Sequence, residues 1–508
     1  MTTLRDDVRP AERTTAARPS SHVDVAIIGA GISGIDAGYR LQRGNPKLTY
    51  AILEGRASLG GTWDLFRYPG IRSDSDMATL GFPFHPWRDE KMIADGAAIR
   101  EYIERTARRY GIDRRIRYGH RVVAAEWSTA DSRWTLTCEV DGGRTQVTCG
   151  FLYACSGYYD YERGHAPEWP GMASFGGRIV YPQFWPTDLE YRDKRVVVIG
   201  SGATAVTIVP AVAETAAHVT MLQRSPTYIV ALPSRDKIAN DLRKRLPAPI
   251  ADVLVRWKNI AYSSFTYILA RKRPDRVRKM IRDGVLAALG SGYDVDVHDV
   301  DTHFNPTYKP WDQRLCLVPD GDLFEVLAAG RASIQTGQIA EFTPSGVRLE
   351  SGKELPADII VSATGLSMQL FGGVSLVVDG ERVDTSQRLV YKGSLLEGVP
   401  NFAFSFGYTN ASWTLKVDLN ARFVSKLLRY MKRKRKAVVI PRTATADIAR
   451  EPLLGLSSGY VRRAANIMPQ QGPVPWRVVQ NYFVDLLAYR TGRLDDGTLR
   501  FGVRGGRP

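Results

Sequence analysis

Gly29, Gly31 and Gly34 stand in Gly-x-Gly-x-x-Gly spacing directly after the apolar run Val25-Ala26-Ile27-Ile28. That spacing suits a strand-to-helix turn that seats a pyrophosphate. The first glycine allows the turn, the second lets the phosphate approach the backbone, and the third lets helix and strand pack closely. The helix start then offers free N–H groups and the positive end of its dipole. Glu54 follows about twenty residues on, where a carboxylate can accept both hydroxyls of a ribose. The stretch therefore reads as a dinucleotide site rather than a chance glycine-rich turn.

A second set repeats this logic over Lys194 to Arg224. Gly200, Gly202 and Ala205 follow the apolar run Val196-Val197-Val198-Ile199, with Thr204 at the predicted helix start. The next strand ends in Arg224 where the first unit has Glu54. A carboxylate there would repel a 2′-phosphate, whereas a guanidinium clamps it with charge-assisted bonds. The second site is expected to prefer NADPH to NADH; the bland alternative is a surface arginine after a strand. Two dinucleotide sites on one chain suggest a held flavin and a nicotinamide that reduces it.

These residues need elements to position them. Strands are predicted at Arg121 to Trp127 and Arg133 to Glu139, with a turn at Asp141-Gly142-Gly143, and another at Phe151 to Ser156. Helices are predicted at 96–110 and, with Leu419, Phe423, Leu427 and Met431 on its apolar side, at Asp418 to Met431. Residues 233–292 read as a helical insertion, with Val253, Leu254, Trp257, Ile260 and Ala261 at helical spacing. Asp358 to Val361 and Asn401 to Phe406 read as strands, and a helix is expected from near Gly321. The expected fold is α/β, with two Rossmann-like dinucleotide-binding domains and a helical insertion. Residues 22–157 with 367–508 would hold FAD, 158–232 with 312–366 would hold NADPH, and 233–311 would form the insertion.

Bulk properties set further bounds. At 508 residues, 44% hydrophobic and 24% charged, the chain is long enough for two or three well-packed domains. Cys138, Cys149, Cys155 and Cys316 form no Cys-x-x-Cys pair, which argues against a dithiol-disulfide reductase and suits a reduced cytoplasmic protein. Residues 1–21 lack the apolar core of a secretory signal and read as a disordered tail. No apolar run is long enough to span a bilayer, and no metal site is read. The net charge is +16, and residues 235–282 hold fourteen Lys and Arg against four Asp. A second basic cluster is Lys432-Arg433-Lys434-Arg435-Lys436. No nucleic-acid motif accompanies this charge; peripheral contact with an anionic membrane and a solvated basic face stand about even. No oligomeric state follows from the sequence.

The chain resembles the class B flavoprotein monooxygenases of Baeyer–Villiger type. The stretches that carry the resemblance are the two glycine motifs, the loop G-G-T-W-D-L-F-R-Y-P-G-I-R-S-D (Gly60 to Asp74), the linker from Phe175 to Pro186, and Ala363-Thr364-Gly365. W-D-Q-R-L-C-L-V-P-D-G-D-L-F and G-Y-T-N-A-S-W-T-L-K add to it, and the similarity runs from about Asp24 to about Arg493. It is strongest with the subgroup of ethionamide monooxygenases and long-chain-alkane monooxygenase-like proteins. One position departs from the family: Phe175, Gly177, Trp185 and Pro186 match its F-x-G-x-x-x-H-x-x-x-W-P fingerprint, but Tyr181 replaces the histidine. Tyrosine cannot carry positive charge near neutral pH as histidine can.

The resemblance implies FAD and NADPH as cofactors and O2 adding at flavin C4a, with the peroxyflavin attacking an apolar ketone to give an ester or lactone, or oxidising a thioether sulfur. It implies that Arg314, in Trp-Asp-Gln-Arg, supplies a fixed charge in the active site and that Asp74 orients it. Gln313 stands where the family has lysine. Thr62, Trp63 and Tyr68 are expected against the flavin, Trp413 and Thr414 near flavin or substrate, Thr364 in a cofactor-contacting turn, and Arg224 with Thr227 on the adenosine phosphate. The alternative in which Asp74 and Arg314 never meet stays open at this point. So do two other functions: subterminal hydroxylation of long alkyl chains, and a flavin redox or electron-transfer protein that consumes little oxygen.

Overall fold

The computed structural model describes residues 19–290, 297–443, 448–455 and 458–506. Most of the segment read as a tail lies outside these residues. Its end does not: the first strand spans Pro19–Ile28 and so begins before Val23. Its partner explains the early start. The strand Gly143–Ala154 is twelve residues long and pairs in parallel with the first strand from Pro19↔Gln146 to Ile28↔Ala154. The short strand expected at Phe151 to Ser156 is therefore the second half of a longer one. Its first half closes a hairpin with Arg133–Val140, and its second half enters the parallel sheet. The burial pattern changes accordingly, from alternating to continuously buried at Phe151.

The hairpin turn follows from local chemistry. Asp141 and Gly142 take φ of 48° and 76°, and Val140 pairs directly with Gly143. Positive φ at both central residues matches the right-handed twist of the flanking strands, and Asp-Gly adopts it cheaply. The preceding strand Arg121–Ser128 completes the meander, with Trp127 opposite Trp134. Around this frame the first sheet collects eleven strands, including Tyr50–Leu53 and the late strands Ser375–Val378 and Phe402–Phe404.

The second sheet is wholly parallel. Its order is Ala332–Thr336, His218–Gln223, Arg195–Ile199, Ile359–Ser362 and Arg178–Val180. Helices cover one face of these strands, and the antiparallel strands Ile339–Thr343, Gly346–Leu349 and Glu354–Pro356 cover the other, which is why Val196-Val197-Val198-Ile199 is apolar on both faces. The fold is thus α/β with two Rossmann-like modules. No helix among the described residues is long and apolar enough to cross a membrane.

Helices Lys237–Arg245, Ala248–Lys272, Pro274–Leu289 and Val297–Phe304 form the expected helical segment. Of the five apolar residues read at helical spacing, Ile260 is buried, whereas Val253, Leu254, Trp257 and Ala261 face outward. The late helix runs Trp413–Arg433, longer than expected at its start, and Leu419, Phe423, Leu427 and Met431 are all buried. Its basic tail carries Lys432 and Arg433 in the last turn, where cations complement the helix dipole.

This helix also carries a buried charge. Lys416 meets Asp485 of helix Tyr482–Thr491 at 2.7 Å, and both side chains are almost wholly enclosed. Tyr408 donates to the same carboxylate at 2.6 Å. Removing one partner of such a pair leaves an uncompensated charge, at a cost of roughly 3–5 kcal/mol. Asp485→Ala should lower unfolding free energy by about that amount in denaturant titration; an unchanged midpoint would show that Lys416 finds another partner.

Candidate active site

The two nucleotide turns have different tolerances. Gly29 sits at φ 96°, and a Cβ there would lie 2.8 Å from the Cys155 carbonyl oxygen. A Cβ on Gly34 would lie 1.9 Å from the Gly29 carbonyl oxygen, so the helix Ile32–Gly44 rests on its own turn. Gly31 precedes that helix, and its nearest obstacle, Gly61, is 3.5 Å away, which leaves the approach open. In the second unit Gly200 has φ 138° and packs on Ala363, while nothing lies within 4 Å of a Cβ at Gly202. Ala205 already carries a Cβ and is fully buried, so this helix, Ala203–Val212, stands further from its turn.

Glu54 follows the strand Tyr50–Leu53 and is buried. Its carboxylate accepts the Ala30 amide at 2.7 Å and the Arg56 amide at 3.0 Å. Burial raises its pKa, against these bonds. Each oxygen keeps a second lone pair for a ribose hydroxyl. The sequence reading missed that the residue also braces the glycine turn.

A cavity of about 510 Å³ runs from this turn to the second helix. Gly29, Gly31 and Glu54 line one end. Trp63, Tyr68, Asp74, Arg314 and Trp413 line its walls, and Ala203 with Thr204 brings the start of the second helix to it. Thr62 is also on the wall and bonds Tyr161, whose hydroxyl burial pushes up to about 12. Tyr68 bonds Thr204, and burial pushes it up to about 12 as well. Trp413 opens its helix and donates from the indole to Ser33 at 2.9 Å.

The loop Gly60 to Asp74 is held by charge. Buried Asp64 meets Arg56 at 2.8 Å and Arg67 at 2.7 Å, and accepts the Ser58 hydroxyl. Gly70, at φ 74°, lies against the second helix, where a Cβ would come 2.8 Å from the Thr207 carbonyl oxygen. Arg72 bonds Asp322 beyond it. The loop thus spans both modules and ends at Asp74.

Arg314 arrives from the other side, between the left-handed turn at Trp311 (φ 71°) and the strand Cys316–Pro319. It meets Asp74 at 3.1 Å. About a third of each side chain is accessible, 36% and 37%, and both line the cavity. Asp74 above all raises the guanidinium's already high pKa, so it is cationic at any working pH. Tyr158, Tyr159 and Tyr460 add to that field. The hydroxyls of Tyr158 and Tyr159 are 2.7 Å apart, and burial pushes Tyr158 up to about 12, so both stay neutral. The sequence gives no sign of their role beyond the run Gly157-Tyr158-Tyr159-Asp160-Tyr161, which lies just past the strand Gly143–Ala154.

Other expected residues lie off this cavity. Thr364 bonds Ser362 at 3.2 Å, and Thr414 is buried against the Leu80 carbonyl. Thr227 pairs with Ser201 at 2.7 Å, beside exposed Arg224, at the mouth of the second turn. None of Phe175, Gly177, Tyr181 and Trp185 lines the cavity. Phe175 is buried against Phe342, Gly177 packs on the Asp358 carbonyl, and Trp185 meets Tyr191. Tyr181 is half-buried, and its carbonyl caps the turn Pro182–Phe184.

These contacts leave room for a phosphate at each turn, and the sequence expectation puts the flavin at the first. Gly34→Ala should yield protein that retains little FAD, because the added Cβ collides with the Gly29 carbonyl, while Gly202→Ala should keep its full complement. Flavin absorbance per chain after gel filtration reads both; equal retention would remove the close approach at Gly34 from the binding account.

The family model for flavin-binding monooxygenase-like proteins matches residues 22–393. The FAD-containing monooxygenase EthA of Mycobacterium tuberculosis is 52% identical over 487 residues, 96% of this chain and 99% of its own. The probable FAD-binding monooxygenase AlmA of Acinetobacter baylyi is 46% identical over 484 residues, 94% of this chain and 96% of its own. Among solved structures, a steroid monooxygenase bound to NADP superposes with TM-score 0.72 at 20% identity, covering 95% of this chain and all of that one. OTEMO in complex with FAD and NADP gives 0.71 at 20%, covering 94% and 99%. At that identity these two show a shared fold. The span of the family match and the identity to full-length relatives establish that the chain belongs to the flavin-binding monooxygenase-like family.

Proposed function

We propose that the protein is an FAD- and NADPH-dependent monooxygenase that inserts one atom of O2 into an apolar ketone, giving an ester or lactone, or places it on a thioether sulfur. The Asp74–Arg314 pair on the wall of the dinucleotide cavity carries this reading. The presence of both residues argues against a protein that only transfers electrons. The names of the relatives, FAD-containing and FAD-binding monooxygenases, support it.

The first sheet, with residues 22–157 and 367–508, is assigned to FAD; residues 158–232 and 312–366 are assigned to NADPH, with 233–311 between them. Bound FAD, once reduced by NADPH, supplies the chemistry that activates O2. The chain supplies binding, charge and dryness. Gly29, Gly31 and Gly34 seat the pyrophosphate, and Glu54 takes the ribose. Arg224 and Thr227 clamp the 2′-phosphate of the nicotinamide cofactor, with Gly202 giving it room. Asp74 accepts from Arg314 and fixes the guanidinium toward the cavity, where it stabilises negative charge developing on oxygen. Trp63, Tyr68 and Trp413 exclude water from that charge. Tyr158 and Tyr159, held neutral, donate hydrogen bonds without adding charge. The Lys- and Arg-rich segment 235–282 supports a salt-sensitive contact with anionic lipid headgroups.

The first test is NADPH and O2 consumption with a long-chain 2-ketone, counting ester and hydrogen peroxide. Ester equal to NADPH consumed is the expected result; peroxide alone, with ketones and thioethers alike, would count against oxygen insertion. Arg314→Ala should lower product formation by about 10²–10³-fold, as loss of a preorganised charge does, while NADPH still reduces the flavin. Unchanged product would remove Arg314 from the mechanism. Arg224→Ala should raise KM for NADPH by about tenfold or more and leave NADH unaffected, since only the 2′-phosphate loses a charge-assisted bond; equal effects on both would place Arg224 elsewhere.

A further inference from the structure

The 25-residue helix Ala248–Lys272 presents an apolar stripe to solvent. Ile250, Leu254, Trp257, Phe265 and Ile268 are all exposed, with exposed Ala261 filling the remaining step at three- and four-residue spacing. Asp252, Asn259 and Ala270 take the opposite side, flanked by Ala251, Val255 and Ile260, and all six are buried. The stripe runs about 27 Å along the helix axis. Helix Tyr482–Thr491 lies beside it and adds Phe483, Val484 and Leu487. Trp257 stacks on Phe483 with centroids 5.9 Å apart, so the two helices form one ridge. Phe265 and Leu487 are each 63% exposed. Contiguous apolar surface of this kind marks a contact site.

Charge identifies the occupant. Exposed Lys244 and Arg245 stand just before the stripe, and exposed Arg271, Lys272 and Arg273 just after it. Arg271 is paired with Asp312; Arg490 ends the second helix. An apolar stripe bracketed by cations is the pattern of a helix lying in a bilayer interface, with side chains among the acyl chains and cations at the phosphates. A second copy of this chain fits less well, because ridge-to-ridge contact would bring cationic ends together.

The ridge also borders a small hollow of about 60 Å³ between the long helix and residues 480–482. Tyr267, Ile268, Tyr408, Ala411 and Tyr482 line it, with the polar side chains Ser264, Asn410, Gln480 and Asn481 among them. Ile268 belongs to the stripe, while Tyr408 and Ala411 also line the large cavity. Tyr408 bonds Asp485 of the same helix that carries Phe483 and Leu487.

We propose that this ridge docks the protein onto an anionic lipid surface by inserting apolar side chains, and that apolar substrate reaches the cavity from the bilayer through the hollow at Ile268 and Tyr408. The route rests on the monooxygenase reading; the docking does not. The test uses the full-length, FAD-loaded protein and vesicles of phosphatidylcholine with and without phosphatidylglycerol. The triple variant Leu254→Ser, Phe265→Ser, Leu487→Ser changes exposed positions only. The native chain should sediment with the anionic vesicles and the variant should bind them about tenfold or more weakly, since three inserted side chains are lost. Equal binding would reduce the contact to headgroup charge and overturn insertion. A native dimer that the variant splits, seen by light scattering, would give the ridge to a second copy and overturn docking. With a long-chain ketone carried in the vesicles the variant should form product more slowly, while a water-soluble ketone is turned over equally. Equal rates on the vesicle-borne ketone would overturn the route. No product from either ketone in the native chain would count against oxygenation and overturn the route with it, while sedimentation would still decide the docking.

Discussion

The ion pair between Asp74 and Arg314 is where the two halves of the molecule meet. Beyond one long bond from Ser75 to Asp74, at 3.4 Å, what places the two residues is distant in sequence. Asp74 ends a loop whose anchor is buried Asp64, ringed by Arg56 and Arg67. That loop is pressed onto the second nucleotide helix at Gly70. Arg314 leaves a left-handed turn and enters the strand Cys316–Pro319, which pairs with Ile229–Leu232. The pair closes at 3.1 Å only when both modules and the loop are in place. A guanidinium facing a cavity lined by aromatic rings needs a carboxylate to offset lost hydration. Asp74 provides that offset and still leaves part of Arg314 turned into the cavity.

The two nucleotide turns share one design with different clearances. In the first, helix and turn are in backbone contact, and only glycine fits at position 34. In the second, Ala205 occupies the equivalent place, and Gly202 faces open space. A tight first turn and a looser second one suit a cofactor that stays and one that exchanges. The acid and base that follow the two second strands divide the same way: Glu54 is buried and tied to its turn, whereas Arg224 is exposed.

Features decided by local conformation were legible in the sequence. Both glycine turns, the Asp141-Gly142 hairpin and the apolar face of the late helix stand where their residues place them. Features decided by distant partners were not. The early start at Pro19 depends on a strand far along the chain of which only the second half reads as strand, because its pattern changes midway from alternating to continuous. Helical spacing at Val253, Leu254 and Trp257 shows a stripe but not which side of the helix meets the protein, and here the stripe faces out. Asp64 reads as one acid among many; its role appears only once Arg56, Arg67 and Ser58 converge on it. The tyrosines at 158 and 159 needed the cavity to give them meaning.

The linker shows how a mismatch in one residue can leave a fold intact. Strand Arg178–Val180 forms the edge of the second sheet through backbone bonds to Ile359–Ser362. Gly177 is required by the Asp358 carbonyl, and Phe175 fills the core beside Phe342. Both are matched to the family, and both act through packing. Tyr181 contributes its carbonyl to the turn Pro182–Phe184, a bond that any residue could make. Its side chain lies off the cavity wall. Replacement of histidine by tyrosine at this place therefore leaves the sheet edge, the turn and the Asp74–Arg314 pair unchanged. What differs is the side chain's own chemistry: a hydroxyl stands where the Baeyer–Villiger fingerprint has a titratable ring.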